Sequence, residues 1–334
     1  MIYAGIDEAG YGPILGPLCV ASSVFEVPDE LVHAEAGAPD LWAALGPIVC
    51  RTRKEASSSC FAVADSKALK LANSVKRLHP LHHLEIGVLS FGSVLGDATQ
   101  PAATEGELFQ TLHAEPGELP WYASENDRQL PLGTTADHLR LLASRLRSRC
   151  EQAGISPLEM RCAVTCERRF NDDLRRCSTK AELSFLRVAS LIRRVWKSDA
   201  AQQDDPATCP RVVVDRQGGR TRYAESLTRM VPDATVEVVG ETAGRSVYDL
   251  HGDGRRLRVS FEVEAENRHL PVALASMTAK LVRELLIARL NKYWSARCAE
   301  LKPTAGYAQD GARYLKDLRS VATPEELRAL RRNA

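Results

Sequence analysis

The start of the chain restricts the possible folds more than any other part, because a strand-like run ends in two adjacent acids that no helix can follow. In IYAGID (residues 2–7) apolar residues occupy alternate positions, which is typical of a β-strand with one buried face. Asp7 and Glu8 end this run, and the glycines and prolines of GYGPILGP (residues 10–17) disfavour a helix. The next run, PLCVASSVFEV (residues 17–27), is rich in β-forming residues. The pattern predicts a β-hairpin closed by a glycine-rich loop.

The rest of the chain interleaves predicted strands with predicted helices, which indicates an α/β domain with a mixed sheet. Further strands are predicted at residues 84–95, 161–166 and 211–215, and at 246–250 and 255–264 on either side of an HGDG turn. Helices are predicted at residues 134–153, 179–197 and 272–294 and in the last thirty residues, the second of them opening with Thr179 and Glu182 at capping-box spacing. Segment 96–133 carries several prolines and glycines and is predicted to be an insertion or a long surface loop.

Composition points to a cytoplasmic, soluble protein. With 334 residues, 44% of them hydrophobic, the chain can bury a large core without disulfides. Nine cysteines occur without a CxxC pair, which favours reduced thiols and argues against a structural zinc site. No stretch approaches the roughly 18 apolar residues of a membrane span, and no secretory leader opens the sequence.

A net charge of +1 gives no global attraction for a polyanion. Local basic clusters do occur, at Arg193, Arg194 and Lys197 and in the tail RALRRNA (residues 328–334). Solvated helix faces produce such clusters as readily as nucleic-acid sites do, so both explanations stay open.

Four acids form the strongest candidate for chemistry. Asp7 and Glu8 end the first strand and Asp215 ends RVVVD, and the carboxyl ends of strands in α/β sheets form the usual ligand crevice. Glu284 lies on the helix of residues 271–290, on a face shared with Ser276 and Lys280. Converging carboxylates repel one another unless cations neutralise them, and oxygen ligands suit Mg²⁺ or Mn²⁺. Two such ions about 4 Å apart can hydrolyse a phosphodiester.

An ordinary structural explanation fits the same acids. Aspartate at a strand end is common turn chemistry, and Lys280 with Glu284 is a possible surface pair four residues apart. Neighbouring side chains of a strand point to opposite faces, so Asp7 and Glu8 share a site only if the backbone bends, as Gly10 would permit. Spacing alone leaves the metal site and the structural explanation both open.

Five ordered motifs spanning nearly the whole chain resemble those of the type 2 ribonucleases H, the group that contains ribonucleases HII and HIII. GIDEAGYGPILGP (residues 5–17) resembles the family's GIDEAGRGPxxGP, and ADSKAL (64–69) resembles its DSKKL segment. VVVD, ending at Asp215, is similar to the third acidic strand. ALASMTAKLVRE (273–284) resembles AAASIxAKxxRD, and AGYAQDGARYLKDL (305–318) resembles GYxTxxHxxAL.

The resemblance implies an α/β fold with a ribonuclease H-like mixed sheet flanked by helices and a helical C-terminal extension. Residues 1–295 would form the catalytic core, with insertions near 96–133 and 234–263, the latter expected as a hairpin, and residues 296–334 the C-terminal helical segment. The implied activity is endonucleolytic cleavage of the RNA strand of RNA/DNA hybrids or ribonucleotide-containing duplexes, leaving a 3′-hydroxyl and a 5′-phosphate. We expect a monomer.

The resemblance also implies roles for individual residues. The implied catalytic residues and ligands of Mg²⁺ or Mn²⁺ are Asp7, Glu8, Asp215 and Glu284. The implied substrate contacts are Gly10, Tyr11, Gly12, Ser66, Lys67 and Tyr307.

Some positions depart from the family pattern. Tyr11 stands where the family has a basic residue, Glu264 where it has lysine and Gln309 where it has threonine. Each change removes a polar or basic contact expected near a polyanion, so affinity for hybrids is expected to be lower or differently tuned. The alternatives are a nucleic-acid-binding homologue that has lost efficient catalysis and a nuclease of the same superfold that acts on DNA junctions.

Overall fold

A seven-stranded sheet forms the centre of the molecule. The computed structural model describes residues 1–32, 39–96, 98–123, 127–177, 179–202, 208–216 and 218–333. Its strands are β1 (Ile2–Ala9), β2 (Leu18–Glu26), β3 (Val49–Cys50), β4 (Phe61–Ala62), β5 (Ser156–Thr165), β6 (Arg211–Asp215), β7 (Thr235–Glu241), β8 (Arg245–Gly252) and β9 (Arg255–Glu262). The large sheet has the order β5-β2-β1-β6-β9-β8-β7, and β3 pairs with β4 separately.

Helices cover both faces of this sheet. They are α1 (Leu41–Leu45), α2 (Ser66–Leu69), α3 (His82–Gly92), α4 (Glu105–Thr111), α5 (Ala136–Ala153), α6 (Glu167–Leu174), α7 (Lys180–Trp196), α8 (Ala224–Met230), α9 (Leu270–Ser295), α10 (Ala308–Asp317) and α11 (Pro324–Leu330). Among the described residues, no helix is long and apolar enough to cross a membrane. The predicted α/β class, with a mixed sheet, flanking helices and a helical C-terminal segment, is confirmed.

The sheet is mixed because its first strands form antiparallel pairs and its middle strands run parallel. β1 pairs antiparallel with β2, as the predicted hairpin requires, and β2 pairs antiparallel with β5. β1, β6 and β9 are parallel neighbours. The carboxyl ends of these three strands therefore meet at one edge of the sheet, where ligands of α/β proteins usually bind.

Alternation along β1 divides the core into two layers. Tyr3 packs on the face covered by α9, whereas Ile6 packs on the face covered by α7. α9 lies very close to the sheet, because a Cβ on Gly5 would come within 2.1 Å of the backbone nitrogen of Val272. Glycine at position 5 is what permits this contact, and it fixes α9 along β1.

The prediction of a strand at residues 84–95 is wrong, since this segment forms α3. Every residue from Leu84 to Gly92 is buried, so the helix has no polar face and its sequence shows no helical period. Even Glu85 is buried, where it accepts hydrogen bonds from the backbone amides of Leu132 (2.5 Å) and Gly133 (2.8 Å). An apolar run of this length fits a buried helix and a buried strand equally well.

Segment 96–133 is not a surface loop. It contains α4 and a 3₁₀ turn, Pro120–Tyr122, whose Trp121 is 1% exposed and packs against Trp294 of α9. Buried Glu105 accepts a 2.7 Å hydrogen bond from Nε of Arg289. The region 234–263 is likewise more than a hairpin, because β7 adds a third antiparallel strand to β8 and β9.

Candidate active site

Two aspartates meet at the carboxyl ends of neighbouring parallel strands. The register of β1 and β6 places Ile6 opposite Val214, so Asp7 and Asp215 follow side by side. Both lie on the α9 face, which they share with Tyr3 and Val213 by strand alternation. The sequence prediction that these two strands bring their acids together agrees with this register.

Asp7 is a buried carboxyl surrounded by negative charge. Its side chain is 8% exposed and accepts a 2.6 Å hydrogen bond from the backbone amide of Glu8 and another from the hydroxyl of Ser276. Burial raises the pKa of Asp7 well above its ordinary value, and the charges of Glu8 and Asp215 raise it further. Ionising Asp7 is therefore costly unless a cation is nearby.

A carboxyl that the site prediction did not include lies against Asp215. Glu266 belongs to the 3₁₀ turn Ala265–Asn267 that follows β9, the strand next to β6. The pKa of Glu266 is raised to about 7, mainly by burial and to a lesser extent by the charge of Asp215. The pKa of Asp215 is also raised by burial, although Ala265 donates a 3.0 Å backbone hydrogen bond to its Oδ1. The sequence signal for Glu266 is the presence of an acid soon after β9, the third of the parallel strands.

Lys67 lies in the combined field of these acids. Burial lowers the pKa of Lys67, but the attraction of nearby carboxylates outweighs burial and raises the pKa overall. Those carboxylates are Asp65, Asp7, Glu266 and Asp215. Lys67 lies in the first turn of the short helix α2. Asp65 is the N-cap of this helix, and its side chain accepts a hydrogen bond from the backbone amide of Lys67 at 3.1 Å.

Ser66 connects α2 to α9. The hydroxyls of Ser66 and Ser276 share a hydrogen bond of 3.0 Å, and both side chains are buried. Ser66 and Lys67, both predicted from the DSK segment, therefore lie beside Asp7, because the hydroxyl of Ser276 also contacts that carboxyl.

The sequence predicts that Glu8 joins Asp7 and Asp215 through a bend in the backbone. The predicted backbone bend is absent, since β1 pairs regularly with β2 through Ala9 and Cys19. Glu8 therefore starts from the opposite face of the strand to Asp7. It is nevertheless close enough to raise the pKa of both Asp7 and Asp215.

Glu284 is held by two lysines. Its Oε1 lies 2.7 Å from Nζ of Lys280 and its Oε2 lies 3.8 Å from Nζ of Lys70, and all three side chains are less than one-fifth exposed. The pair four residues apart that the structural explanation anticipated is present, although it is mostly buried. Glu284 lies two helical turns beyond Ser276, about 12 Å along α9.

The loop after β1 is fixed by contacts from the end of the chain. Gly10 has φ +91°, and a Cβ there would come within 2.6 Å of Nε of Arg283, the neighbour of Glu284. The buried guanidinium of Arg332 donates to the carbonyls of Gly10 (2.6 Å) and Tyr11 (3.2 Å). Sequence analysis missed this role, which joins residues 322 positions apart.

Tyr307 lies beside the same loop. The carbonyl of Gly306 accepts hydrogen bonds from the amides of Ile14 (2.9 Å) and Leu15 (3.1 Å), which brings position 307 next to the loop. The Tyr307 ring is 54% exposed, so it can contact a ligand. Tyr11 is half-buried, with Nζ of Lys180 at 5.1 Å from its ring centroid, so a cation approaches the position where the family has a basic residue.

The acids carry suitable chemistry for a divalent cation. They are hard oxygen donors, and the pKa values of Asp7, Asp215 and Glu266 are raised first by burial and then by neighbouring carboxylates, a combined cost of ionisation that a cation would relieve. Within the described ranges, no group of three or more His, Cys, Asp and Glu side chains is placed to hold a metal ion. The charge of the site therefore fits a cation, whereas its carboxylates do not stand in a ready-made ligand geometry.

Sequence comparison assigns no family to the chain, because no protein-family model and no curated protein matches it. Solved structures do show similarity. Ribonuclease HII of Archaeoglobus fulgidus, solved with PCNA, has 16% identity and a TM-score of 0.44 over 100% of this chain and 94% of that one. Bst ribonuclease HIII, solved with Mn²⁺, has 15% identity and a TM-score of 0.43 over 99% of this chain and 66% of that one.

The ribonuclease H2 of Pyrococcus horikoshii has 14% identity and a TM-score of 0.40, over 99% of this chain and 92% of that one. These structures are type 2 ribonucleases H, the family that the five motifs resemble. At such identities and TM-scores, structural similarity does not assign an activity, and the functional argument rests on the residues of the site.

Proposed function

We propose that this protein is a metal-dependent endonuclease that cleaves the RNA strand of RNA/DNA hybrids or ribonucleotide-containing duplexes, leaving a 3′-hydroxyl and a 5′-phosphate. The observation that carries the proposal is the pair Asp7 and Asp215, adjacent at the ends of parallel strands and surrounded by further carboxylates. Strongly perturbed acids clustered at a strand edge are typical of a functional site. The five ordered motifs select ribonuclease H among the possible activities.

The residues divide into metal ligands and substrate contacts. Asp7, Glu8, Asp215 and Glu284 would hold Mg²⁺ or Mn²⁺, which when bound lowers the pKa of the attacking water and stabilises the leaving oxygen. Asp7 and Asp215 are best placed for this role, because their strands bring them together. Glu284 would have to exchange its lysine partners for the metal.

On the substrate side, Lys67 carries a positive charge within the electrostatic field of the acids and would pair with a phosphate oxygen. The exposed ring of Tyr307 would pack against a nucleotide beside the scissile bond. The turn of Gly10, Tyr11 and Gly12, fixed by Arg332, would present its backbone to the ribose, whose 2′-hydroxyl distinguishes RNA from DNA.

Cleavage by an Asp215→Asn variant tests the assignment. This change keeps the shape of the side chain and removes one charge between Asp7 and Glu266, so we expect activity to fall at least about 100-fold. The measurement is cleavage, with Mg²⁺ or Mn²⁺, of an RNA/DNA hybrid and of a duplex with one ribonucleotide. Equal rates for the variant and the unmodified protein would refute the proposal, and cleavage of an all-DNA junction instead would support the DNA-nuclease alternative.

A nucleic-acid-binding protein with weak catalysis is the second candidate. It is favoured by the 2.7 Å ion pair that occupies Glu284 and by the absence, in the described part of the chain, of three converging metal ligands. Binding of hybrids without metal-dependent cleavage would select this candidate.

A further inference from the structure

A cleft lined by five arginines lies between α6 and the C-terminal helices. It has a volume of about 730 Å³, and we call it the arginine cleft. α6 and the residue that follows it contribute two of its arginines, the turn after α10 contributes one, and α11 and the residue that follows it contribute two. They are Arg168, Arg175, Arg319, Arg328 and Arg331.

Positive charge in the cleft is largely uncompensated. Of the described residues that line it, two are acids, Asp172 and Glu325, and Asp172 pairs with Arg175, which directly follows α6. Among the residues that the structure describes, no carboxylate forms a salt bridge with any of the other four arginines, and all four are exposed. Since the whole chain has a net charge of only +1, this surplus is a local feature that favours an anionic partner.

The cleft begins one residue away from the loop of the proposed active site. Arg331 lines the cleft, and its neighbour Arg332 donates to the carbonyls of Gly10 and Tyr11. Asn171 holds the segment of residues 331–333 in place. Its Nδ2 donates a hydrogen bond to the carbonyl of Arg331 at 2.8 Å, and its Oδ1 accepts a hydrogen bond from the backbone amide of Asn333 at 2.7 Å. The cleft therefore adjoins the segment that holds the Gly10–Gly12 turn.

We propose that the arginine cleft binds the phosphate backbone of a nucleic acid duplex beyond the position of cleavage; this inference rests on the proposed function. The guanidinium fork matches a phosphate group with two parallel hydrogen bonds. Five arginines from separate segments suit the repeated phosphates of a strand better than the single charge centre of a mononucleotide. The cleft offers charge without a feature that reads bases, so it would position the duplex without selecting its sequence.

The salt dependence of binding tests this inference. An RNA/DNA hybrid is titrated with protein in EDTA, so that no cleavage is needed, at several salt concentrations. Each lost phosphate contact lowers the slope of log K against log salt by about 0.9. We therefore expect the Arg168→Ala/Arg328→Ala variant to lose about 2 from this slope and to bind at least about tenfold more weakly at 0.1 M salt.

Two further variants control for general effects. Arg140→Ala/Arg256→Ala removes two arginines from α5 and β9, outside the cleft, and is expected to keep the slope of the unmodified protein. Arg168→Lys/Arg328→Lys keeps both charges and is expected to recover most of the slope, which a misfolded variant would not do.

An unchanged slope in Arg168→Ala/Arg328→Ala would overturn the inference, and so would an equal loss in the Arg140→Ala/Arg256→Ala control. AMP is titrated in the same way as a probe for a mononucleotide site. If the Arg168→Ala/Arg328→Ala variant lost AMP binding but kept hybrid binding, the inference would also be overturned, because the cleft would then be a mononucleotide site. The titration contains no divalent ion, so its outcome is independent of whether the protein cleaves RNA.

Discussion

At the scale of single residues, buried charge is compensated in some places and left uncompensated in others. Glu262 is 4% exposed but is surrounded by donors: Arg245 at 3.0 Å, Arg268 at 2.9 Å and His269 at 3.1 Å. Asp215, directly opposite in the register of β6 and β9, is surrounded mainly by other acids. Two neighbouring carboxyls therefore differ in environment: Glu262 is paired with cationic donors, whereas Asp215 is the one that would bind a cation under the proposed function.

The stability of a Glu262→Gln variant should differ from that of the unmodified protein in a pH-dependent way. Burial alone would raise the pKa of Glu262, but His269, Arg245 and Ser260 lower it to about 2 from its ordinary value of 4.5. A lowered pKa means that the ionised group adds stability above pH 4.5 and loses it as the pH falls toward 2. We expect the variant to be less stable at pH 7 by on the order of 3 kcal/mol, as measured by urea unfolding.

The difference should shrink steadily below pH 4.5, where the unmodified Glu262 also begins to lose its charge advantage. Exposed Glu237 on β7 gives a matched control, and Glu237→Gln should change stability by less than about 0.5 kcal/mol. A Glu262→Gln deficit that did not vary with pH would contradict the assignment to ionic pairing.

At the scale of elements, segment 96–133 is a structural part of the core. The turn of Trp121 packs against α9, the same helix that carries Ser276 and Glu284. α4 contacts α9 at Arg289, which lies over the ring of Phe109. The buried pair of Glu105 and Arg289 fixes this contact. The segment therefore supports the helix that positions one side of the proposed active site.

Trp121→Ala should destabilise the protein by about 3–5 kcal/mol, because it removes a large side chain that is 1% exposed. Leu141→Ala on α5 is the control, since Leu141 is 54% exposed and its loss should cost less than about 0.5 kcal/mol. Thermal unfolding of both variants is the measurement. Equal melting temperatures would restore the interpretation of 96–133 as a surface loop.

At the scale of the whole molecule, the last residues hold the first loop. Arg332 is 1% exposed and donates to backbone carbonyls of the loop after β1, while its own amide donates to Ile14 at 2.8 Å. Glu167 holds the other end of the loop by accepting the amide of Gly16 at 3.0 Å. The shape of the proposed substrate loop thus depends on residues from the start, middle and end of the chain.

Arg332→Ala should loosen this loop selectively. The change leaves the carbonyls of Gly10 and Tyr11 without their donor, at a cost of at least about 2 kcal/mol, and should speed hydrogen exchange at Ile14 and Leu15. Arg331→Ala, at the exposed neighbouring position, should leave both amides protected. Equal protection in the two variants would show that Arg332 does not hold the loop.

Sequence alone determined the elements whose residues carry a local signal. Alternation in residues 2–7 and the apolar run that ends at Asp215 predicted β1 and β6 with their acids. Thr179 marked the start of α7 by capping the amide of Glu182. These features follow from neighbouring residues, so no knowledge of the rest of the chain is needed. The predicted substrate and metal roles themselves remain predictions for experiment.

Only the tertiary structure decided the rest. α3 replaced the strand predicted at residues 84–95, and because the helix is buried around its whole circumference from Leu84 to Gly92, no local pattern could reveal it. Glu266 joined Asp215 because β9 pairs with β6, and Arg332 reached Gly10 across 322 positions. Contacts of this kind depend on which elements pack together, and the free energy that selects the packing belongs to the whole core rather than to any segment.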